Sequence, residues 1–329
     1  MHVVVNSKMS PRAAELLVDA GLIPLTTGVE NAVQRDGWKA LKKLPEHVLQ
    51  DARIMLGNAY NIDAELLRLL PRLEWFHSVL SGIAGGAPFD WSLVEKRGIA
   101  VTTSKIHEHS VSEFALAHML TLAKSFHKYR DAQKSCRYDR SPPLAMLEGK
   151  TALIVGTGNI GRELARKLSL GFDMEVFGIN RTGRDLPYFV ACGVPSDLDE
   201  MLASADFVIL ACAATDETRD MMNLSRFAKM RQSAFLVNVA RGALVVENDL
   251  VTALGHGMIA GAGLDVFAHE PLPLDSLLWK APNLFMTPHM AYSFPDSDMR
   301  VARVFLEEYA LFSEGRLAES PNYANTRRY

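Results

Sequence analysis

Three glycines, Gly156, Gly158 and Gly161 in "VGTGNIGRELARKL", follow the apolar run "TALIV" and open an amphipathic stretch over 159–170. This G-x-G-x-x-G spacing suits a dinucleotide pyrophosphate. The first glycine permits a tight turn, the second lets the backbone approach an anion, and the third lets a helix pack closely on the strand. Free N–H groups at the helix start, those of Asn159 and Ile160 among them, would complete the anion site with the helix dipole. The next apolar run, "MEVFGIN", ends at Asn180, where an NAD site carries an acid for the ribose hydroxyls. Arg181 and Arg184 follow in "GINRTGR". An amide at that position removes the repulsion that a 2′-phosphate would meet, and two guanidinium groups can pair with the phosphate. NADP(H) is therefore the expected cofactor. If both arginines are only solvated loop residues, NAD(H) would serve as well.

Elements must hold these groups in place, and the pattern supplies them. "HVVVN" (2–6), "RIMLG" (53–57) and "WFHSVL" (75–80) read as buried strands, with helical stretches at 10–21 and 61–71 between them. The first helix has Ser10 at its N-cap, Pro11 at N1 and Gly21 beyond its end. The alternation restarts with strand candidates at 151–156, 174–180, 205–211, 234–240 and 260–266. Such alternation predicts parallel sheets covered by helices on both faces, here in two α/β units. Residues 110–134 predict one long helix at the join, and 294–315 a second amphipathic helix that returns to the first unit.

Size and charge bound the class. A chain of 329 residues predicts two domains, and its net charge of −3 argues against a general binder of nucleic acid or anionic membrane. Cys136, Cys192 and Cys212 are scattered, with no metal spacing and no disulfide framework, which fits a reducing compartment. No signal peptide or membrane-length apolar run is present in the sequence, so a cytoplasmic enzyme is expected.

Three further stretches, in order after the glycine turn, are "VNVARGALVVENDL" (237–250), "GLDVFAHEPLP" (263–273) and "MTPHMA" (286–291). With them the chain resembles the D-isomer-specific 2-hydroxyacid dehydrogenases over nearly its whole length, and its Asn180-Arg181 signature looks more like the glyoxylate/hydroxypyruvate reductase branch than the NAD-dependent phosphoglycerate dehydrogenases. The resemblance implies two Rossmann-like domains with parallel sheets and an active-site cleft between them. A flavodoxin-like substrate domain would span 1–104 plus 290–329, and a dinucleotide-binding domain 105–289, with a dimerisation arm at about 113–147 that makes a homodimer. It also implies a catalytic set of Arg241, Glu270 and His289. An imidazole has an intrinsic pKa near operating pH and suits proton donation to a keto oxygen. A neighbouring carboxylate would orient it and favour its charged form. A guanidinium fork can clamp the substrate carboxylate and polarise the carbonyl. By the same likeness Asp265 would hold the nicotinamide carboxamide, although burial as a cap is the competing reading.

The loop "HSVLSGIAGG" (77–86) resembles the family's substrate loop, with the N–H groups of Ser81 and Gly82 as a second carboxylate anchor. Asn58 and Tyr60 are either cleft residues or surface loop. Ala213 and Ala214 are expected near the cofactor, although "ACAATDET" (211–218) lacks the family's usual proline. "TTSKIHEH" (102–109) replaces the family's Thr-Pro-Gly hinge, and His107 and His109 within it have no third ligand at metal spacing, so no metal is expected. The expected reaction is NADPH-dependent reduction of a small 2-keto acid to the D-2-hydroxy acid. The alternative from another class is a dinucleotide-sensing corepressor-like protein of the same fold. A formate dehydrogenase is disfavoured by Glu270, where that group uses Gln.

Overall fold

The computed structural model describes residues 1–7, 9–26, 41–57, 62–80 and 89–324. Ser81 and Gly82, with Asn58 and Tyr60, lie outside the described residues. The chain divides into two compact units, Met1–His107 with Phe294–Tyr329, and Glu108–Ser293.

In the first unit, β1 (His2–Asn6), β2 (Ile23–Thr26), β3 (Ile54–Gly57), β4 (Trp75–Ser78) and β5 (Ala100–Thr103) form a parallel sheet. The short strand β13 (Tyr323–Ala324) pairs antiparallel with β5 at one edge, giving the order β13-β5-β4-β3-β1-β2. Val3, Val4 and Val5 are fully buried, as are Ile54 and Leu56, because helices cover both faces of the sheet. Those helices are α1 (Pro11–Asp19), α2 (Glu46–Asp51), α3 (Ala64–Leu69), α4 (Trp91–Lys96) and, from the far end of the chain, α11 (Ser297–Ser313). Ser10 caps α1 by accepting a hydrogen bond from the Ala13 N–H at 3.3 Å, and Pro11 occupies its first turn. Helix α11 does return to this unit: Phe305 stacks on Trp75 with ring centroids 4.8 Å apart.

Beside Trp75, His77 is wholly buried, with Nδ1 2.7 Å from the Thr102 hydroxyl and Nε2 2.8 Å from that of Ser104. The Trp75 indole N–H donates to the same Thr102 hydroxyl at 2.9 Å. Every polar atom in this bracket has a partner inside the unit, as low-dielectric burial requires.

The second unit holds β6 (Thr151–Val155), β7 (Glu175–Ile179), β8 (Ala191–Gly193), β9 (Phe207–Leu210), β10 (Phe235–Asn238), β11 (Gly261–Leu264) and β12 (Leu284–Met286). All pair in parallel in the order β12-β11-β10-β9-β6-β7-β8. The strand order reverses between β6 and β9, the position where open α/β sheets bind ligands beyond their carboxyl ends. Its helices are α5 (Glu108–Ala123), α6 (Phe126–Lys134), α7 (Asn159–Phe172), α8 (Leu198–Leu202), α9 (Leu224–Phe227) and α10 (Glu247–Gly255).

The single helix expected over 110–134 is in fact α5 and α6, broken at Ser125, whose φ is +52°. The returning segment causes the break. Ser125 Oγ donates to the Pro143 carbonyl at 2.6 Å, Lys124 Nζ donates to the Ala145 carbonyl, and the Ala145 N–H donates to the Ala123 carbonyl. These bonds replace the helical ladder at that turn. The edge strands β8, β12 and β13 are only two or three residues long, too short to register as strands in the sequence.

Candidate active site

Gly156 leaves β6 with φ +103°, and a Cβ there would lie 2.6 Å from the Cys212 nitrogen. The turns after β6 and β9 thus meet at the switch point, and only glycine allows the approach. Gly161 sits against the same turn, where a Cβ would fall 2.1 Å from the Gly156 carbonyl oxygen. Gly158 differs. It begins α7 with no side-chain cap, and no atom lies within 4 Å of its missing Cβ. Gly158 and Asn159 are exposed, and the first turn, which includes Asn159 and Ile160, presents the positive end of a 14-residue helix.

Asn180 follows β7 and organises the loop beyond it. Its amide oxygen accepts from the N–H groups of Thr182 and Arg184 at 3.1 and 3.2 Å, while its amide nitrogen donates to the Arg184 carbonyl at 3.0 Å. Gly183, with φ +65°, completes the turn. Arg181 and Arg184 project from this tight loop, both exposed and with no carboxylate partner among the described residues. Ala213 lies in the loop after β9, where the Thr218 hydroxyl bonds its carbonyl at 2.8 Å and steadies a segment that lacks proline.

Arg241, Glu270 and His289 come from three segments that follow β10, β11 and β12. Asn238 brackets the first: its amide oxygen accepts from the Ala240 N–H and its nitrogen donates to the Arg241 carbonyl, at 3.0 and 2.9 Å. Gly242 then presses against the loop carrying Glu270, so closely that a Cβ would lie 1.9 Å from the Phe267 carbonyl carbon. Glu247 fastens the same loop by accepting from the Ala268 N–H at 2.7 Å. Glu270 Oε1 accepts from the Phe267 N–H at 2.9 Å, and its Oε2 lies 2.6 Å from His289 Nδ1.

A carboxylate only accepts, so Nδ1 carries the proton of that bond and Nε2 is the ring atom left to act elsewhere. Burial opposes the charge on Glu270. The hydrogen bonds from His289 and Phe267, with the charges of His289 and Arg241, outweigh it and hold the carboxyl below its ordinary pKa. Imidazole and carboxylate are each about one-third exposed, at 32% and 34%. The Tyr292 ring stands edge-on to the imidazole, with centroids 5.9 Å apart.

His289 has φ +54°, a backbone region that non-glycine residues adopt at a cost. Asp265, fully buried, holds it there. The Asp265 carbonyl accepts the His289 N–H at 2.7 Å, and the carboxylate accepts from Thr287 Oγ1 at 2.5 Å and from the Met290 and Ala291 N–H groups at 3.0 Å each. These bonds of Asp265 all go to the protein's own chain. Among the described residues no group of three or more His, Cys, Asp or Glu is placed to hold a metal ion.

The family model for the D-isomer specific 2-hydroxyacid dehydrogenase NAD binding domain matches residues 116–291. The chain belongs to the D-isomer specific 2-hydroxyacid dehydrogenase family. It is 33% identical over 247 residues to glyoxylate/hydroxypyruvate reductase B of Yersinia pestis, covering 74% of this chain and 75% of that one. It is similar to a solved family protein from Aeromonas salmonicida, at 32% identity and TM-score 0.80 over 98% of both chains. D-lactate dehydrogenase from Aquifex aeolicus, solved with NAD and lactic acid, is 27% identical with TM-score 0.76, over 98% of this chain and 99% of that one.

As a 2-hydroxyacid dehydrogenase the chain is an oxidoreductase that uses a nicotinamide dinucleotide, and the second unit fits one. The uncapped start of α7 and the open face of Gly158 could supply backbone donors at the switch point for a pyrophosphate. Thr287 was not legible as a partner of Asp265. Thr287 lay in plain view two residues before His289, but its partner Asp265 is 22 positions away. No local pattern links the two. Among the described residues no helix is long and apolar enough to cross a membrane.

Proposed function

We propose that this dehydrogenase reduces a small 2-keto acid, of glyoxylate or hydroxypyruvate size, to the D-2-hydroxy acid with NADPH. The observation that carries the reading is the 2.6 Å contact between Glu270 and His289, with Glu270 itself anchored by the Phe267 N–H. That arrangement orients the imidazole and leaves Nε2 available as a proton donor. With its pyrophosphate held at the glycine turn, a bound dinucleotide would supply the hydride to the keto carbon from its nicotinamide ring. His289 Nε2 delivers the proton to the keto oxygen, and Glu270 stabilises the imidazole while it is charged. Arg241 grips the substrate carboxylate and polarises the carbonyl.

Asn180 shapes its loop without adding a negative charge, so Arg181 and Arg184 are free to pair with the 2′-phosphate. The Ser81 and Gly82 N–H groups serve as the second anchor for the substrate carboxylate. Segments 1–104 and 290–329 act as the substrate domain and 105–289 as the cofactor domain. Exposed Phe126, Tyr138, Leu144 and Met146 in the 113–147 arm support a two-fold dimer.

Initial rates for glyoxylate, hydroxypyruvate, pyruvate and bulkier 2-keto acids, each with NADPH and with NADH, test the reading. Turnover of the smallest acids is expected, with kcat/KM about tenfold or more in favour of NADPH. Absence of turnover for all of them, despite tight dinucleotide binding, would defeat it.

A further inference from the structure

His118 lies on α5, 1% exposed, on the face that covers β11 and β12. Its Nε2 is 3.0 Å from Thr287 Oγ1. The Thr287 hydroxyl has a single proton, and the Asp265 carboxylate 2.5 Å away can only accept it. Thr287 Oγ1 therefore accepts from His118, which fixes the Nε2–H tautomer. Nδ1 is left bare, and it is buried with no partner. Gly263 explains how the ring fits: a Cβ there would lie 2.6 Å from Nδ1, so only a glycine strand residue lets the imidazole lie so close. The edge of the ring also meets Phe285, with centroids 5.1 Å apart. A second proton on Nδ1 would have no acceptor. The surroundings thus hold His118 neutral, and burial accordingly pushes its pKa down to about 4, against a smaller opposing pull from Asp265.

The line His118–Thr287–Asp265 ends where Asp265 binds the backbone of His289, Met290 and Ala291. We propose that His118 is a positioning residue for His289: its Nε2–H, through Thr287 and Asp265, fixes the left-handed turn from which His289 reaches Glu270. Removing the donor frees the Thr287 hydroxyl to rotate, weakens its hold on Asp265, and lets the turn relax toward an unstrained backbone. The inference rests on the reading of His289 as the proton donor.

The test compares His118→Leu, His118→Gln and His118→Asn in the full-length enzyme, by kcat, KM and melting temperature. The Gln amide can place an N–H near the position of Nε2, whereas Asn is too short. A misplaced general acid lowers kcat by about ten- to a hundredfold while the keto acid's KM stays put. That loss is expected for Leu and Asn, with Gln restoring most of it. Should His118→Leu not fold, the Gln and Asn pair decides. Wild-type kcat in Leu or Asn would overturn the proposal. So would an equal loss of kcat, KM and melting temperature in Asn and Gln, because packing alone would then be at stake. Nitrogen-15 spectra of the wild-type protein must also show His118 as the Nε2–H tautomer from about pH 5 to 8; the other tautomer would contradict the network. His289→Ala is measured alongside. If that variant keeps its turnover, the functional reading fails. If it is inactive while His118→Leu is normal, the positioning proposal alone fails.

Discussion

His77 and His118 are both buried in the cores of their own units, yet their ring nitrogens end in different places. His77 is held between the Thr102 and Ser104 hydroxyls of the first unit, and its network closes on itself at Trp75. His118 has one nitrogen without a partner, and its other nitrogen leads through Thr287 and Asp265 to an imidazole about one-third exposed. A saturated network stabilises and specifies a core. In our proposal an open one, anchored at one end in the core, holds His289 in a backbone conformation it would not choose alone. On that proposal the same residue type supports stability in one unit and geometry in the other.

The largest test of that contrast is Gly242→Ala. A Cβ there would strike the backbone of Phe267 and Ala268, within 2.3 Å of each. The clash is with main chain, so relief requires moving the loop that carries Glu270. A cost of about 3 kcal/mol or more is expected in denaturant unfolding. Turnover is expected to be lost even where the protein still folds. A stable, fully active variant would show that the Glu270 loop does not depend on this approach.

Next in size is His77→Leu, which removes the ring nitrogens that bond the buried Thr102 and Ser104 hydroxyls. About 2 kcal/mol of stability should be lost, with kcat of the folded fraction unchanged. A drop in kcat there would erase the distinction between the two histidines.

The sequence disclosed the frame more readily than the network. Apolar runs such as "VVV" and "IML" report a doubly covered parallel sheet directly, and Ser10, Pro11 and Gly21 mark the ends of α1. The break at Ser125 was hidden, because the apolar pattern runs on through it and its cause is a segment 18 residues away. Asn180 read as the removal of a charge. Its role in closing the 180–184 loop depends on side-chain-to-backbone bonds that composition does not show. His118 in "ALAHML" is a lone polar residue on an apolar helix, and its partner Thr287 is 169 positions away. Periodicity reports which face of an element is buried, but not which buried polar groups meet.

A smaller effect, per pH unit, distinguishes buried neutral histidines from solvated ones. Burial depresses His77 to about 3 and His107 and His118 to about 4, against 6.5 for an unperturbed imidazole. Between those values the unfolded chain binds protons that the folded chain does not. The stability from these groups is therefore complete above about pH 6.5 and is lost as pH falls toward 4, at up to about 1.4 kcal/mol per pH unit for each. Urea midpoints at about pH 7.5, 6 and 5 measure the slope, and His118→Leu should flatten it by one histidine's share. A midpoint independent of pH over that range would contradict the buried neutral state.

The smallest expected change is Arg184→Ala, a side chain outside both networks. NADPH should bind about tenfold more weakly, as the loss of one charge-assisted pair predicts, with NADH binding and the melting temperature unaffected. Equal losses for both dinucleotides would point to the loop's shape instead of the 2′-phosphate.

The most direct test of the account is single-turnover oxidation of NADPH by glyoxylate in wild type and His289→Ala, both saturated with NADPH. The account predicts a rate about 10²- to 10⁴-fold lower in the variant with unchanged NADPH affinity. A wild-type rate in His289→Ala would contradict it.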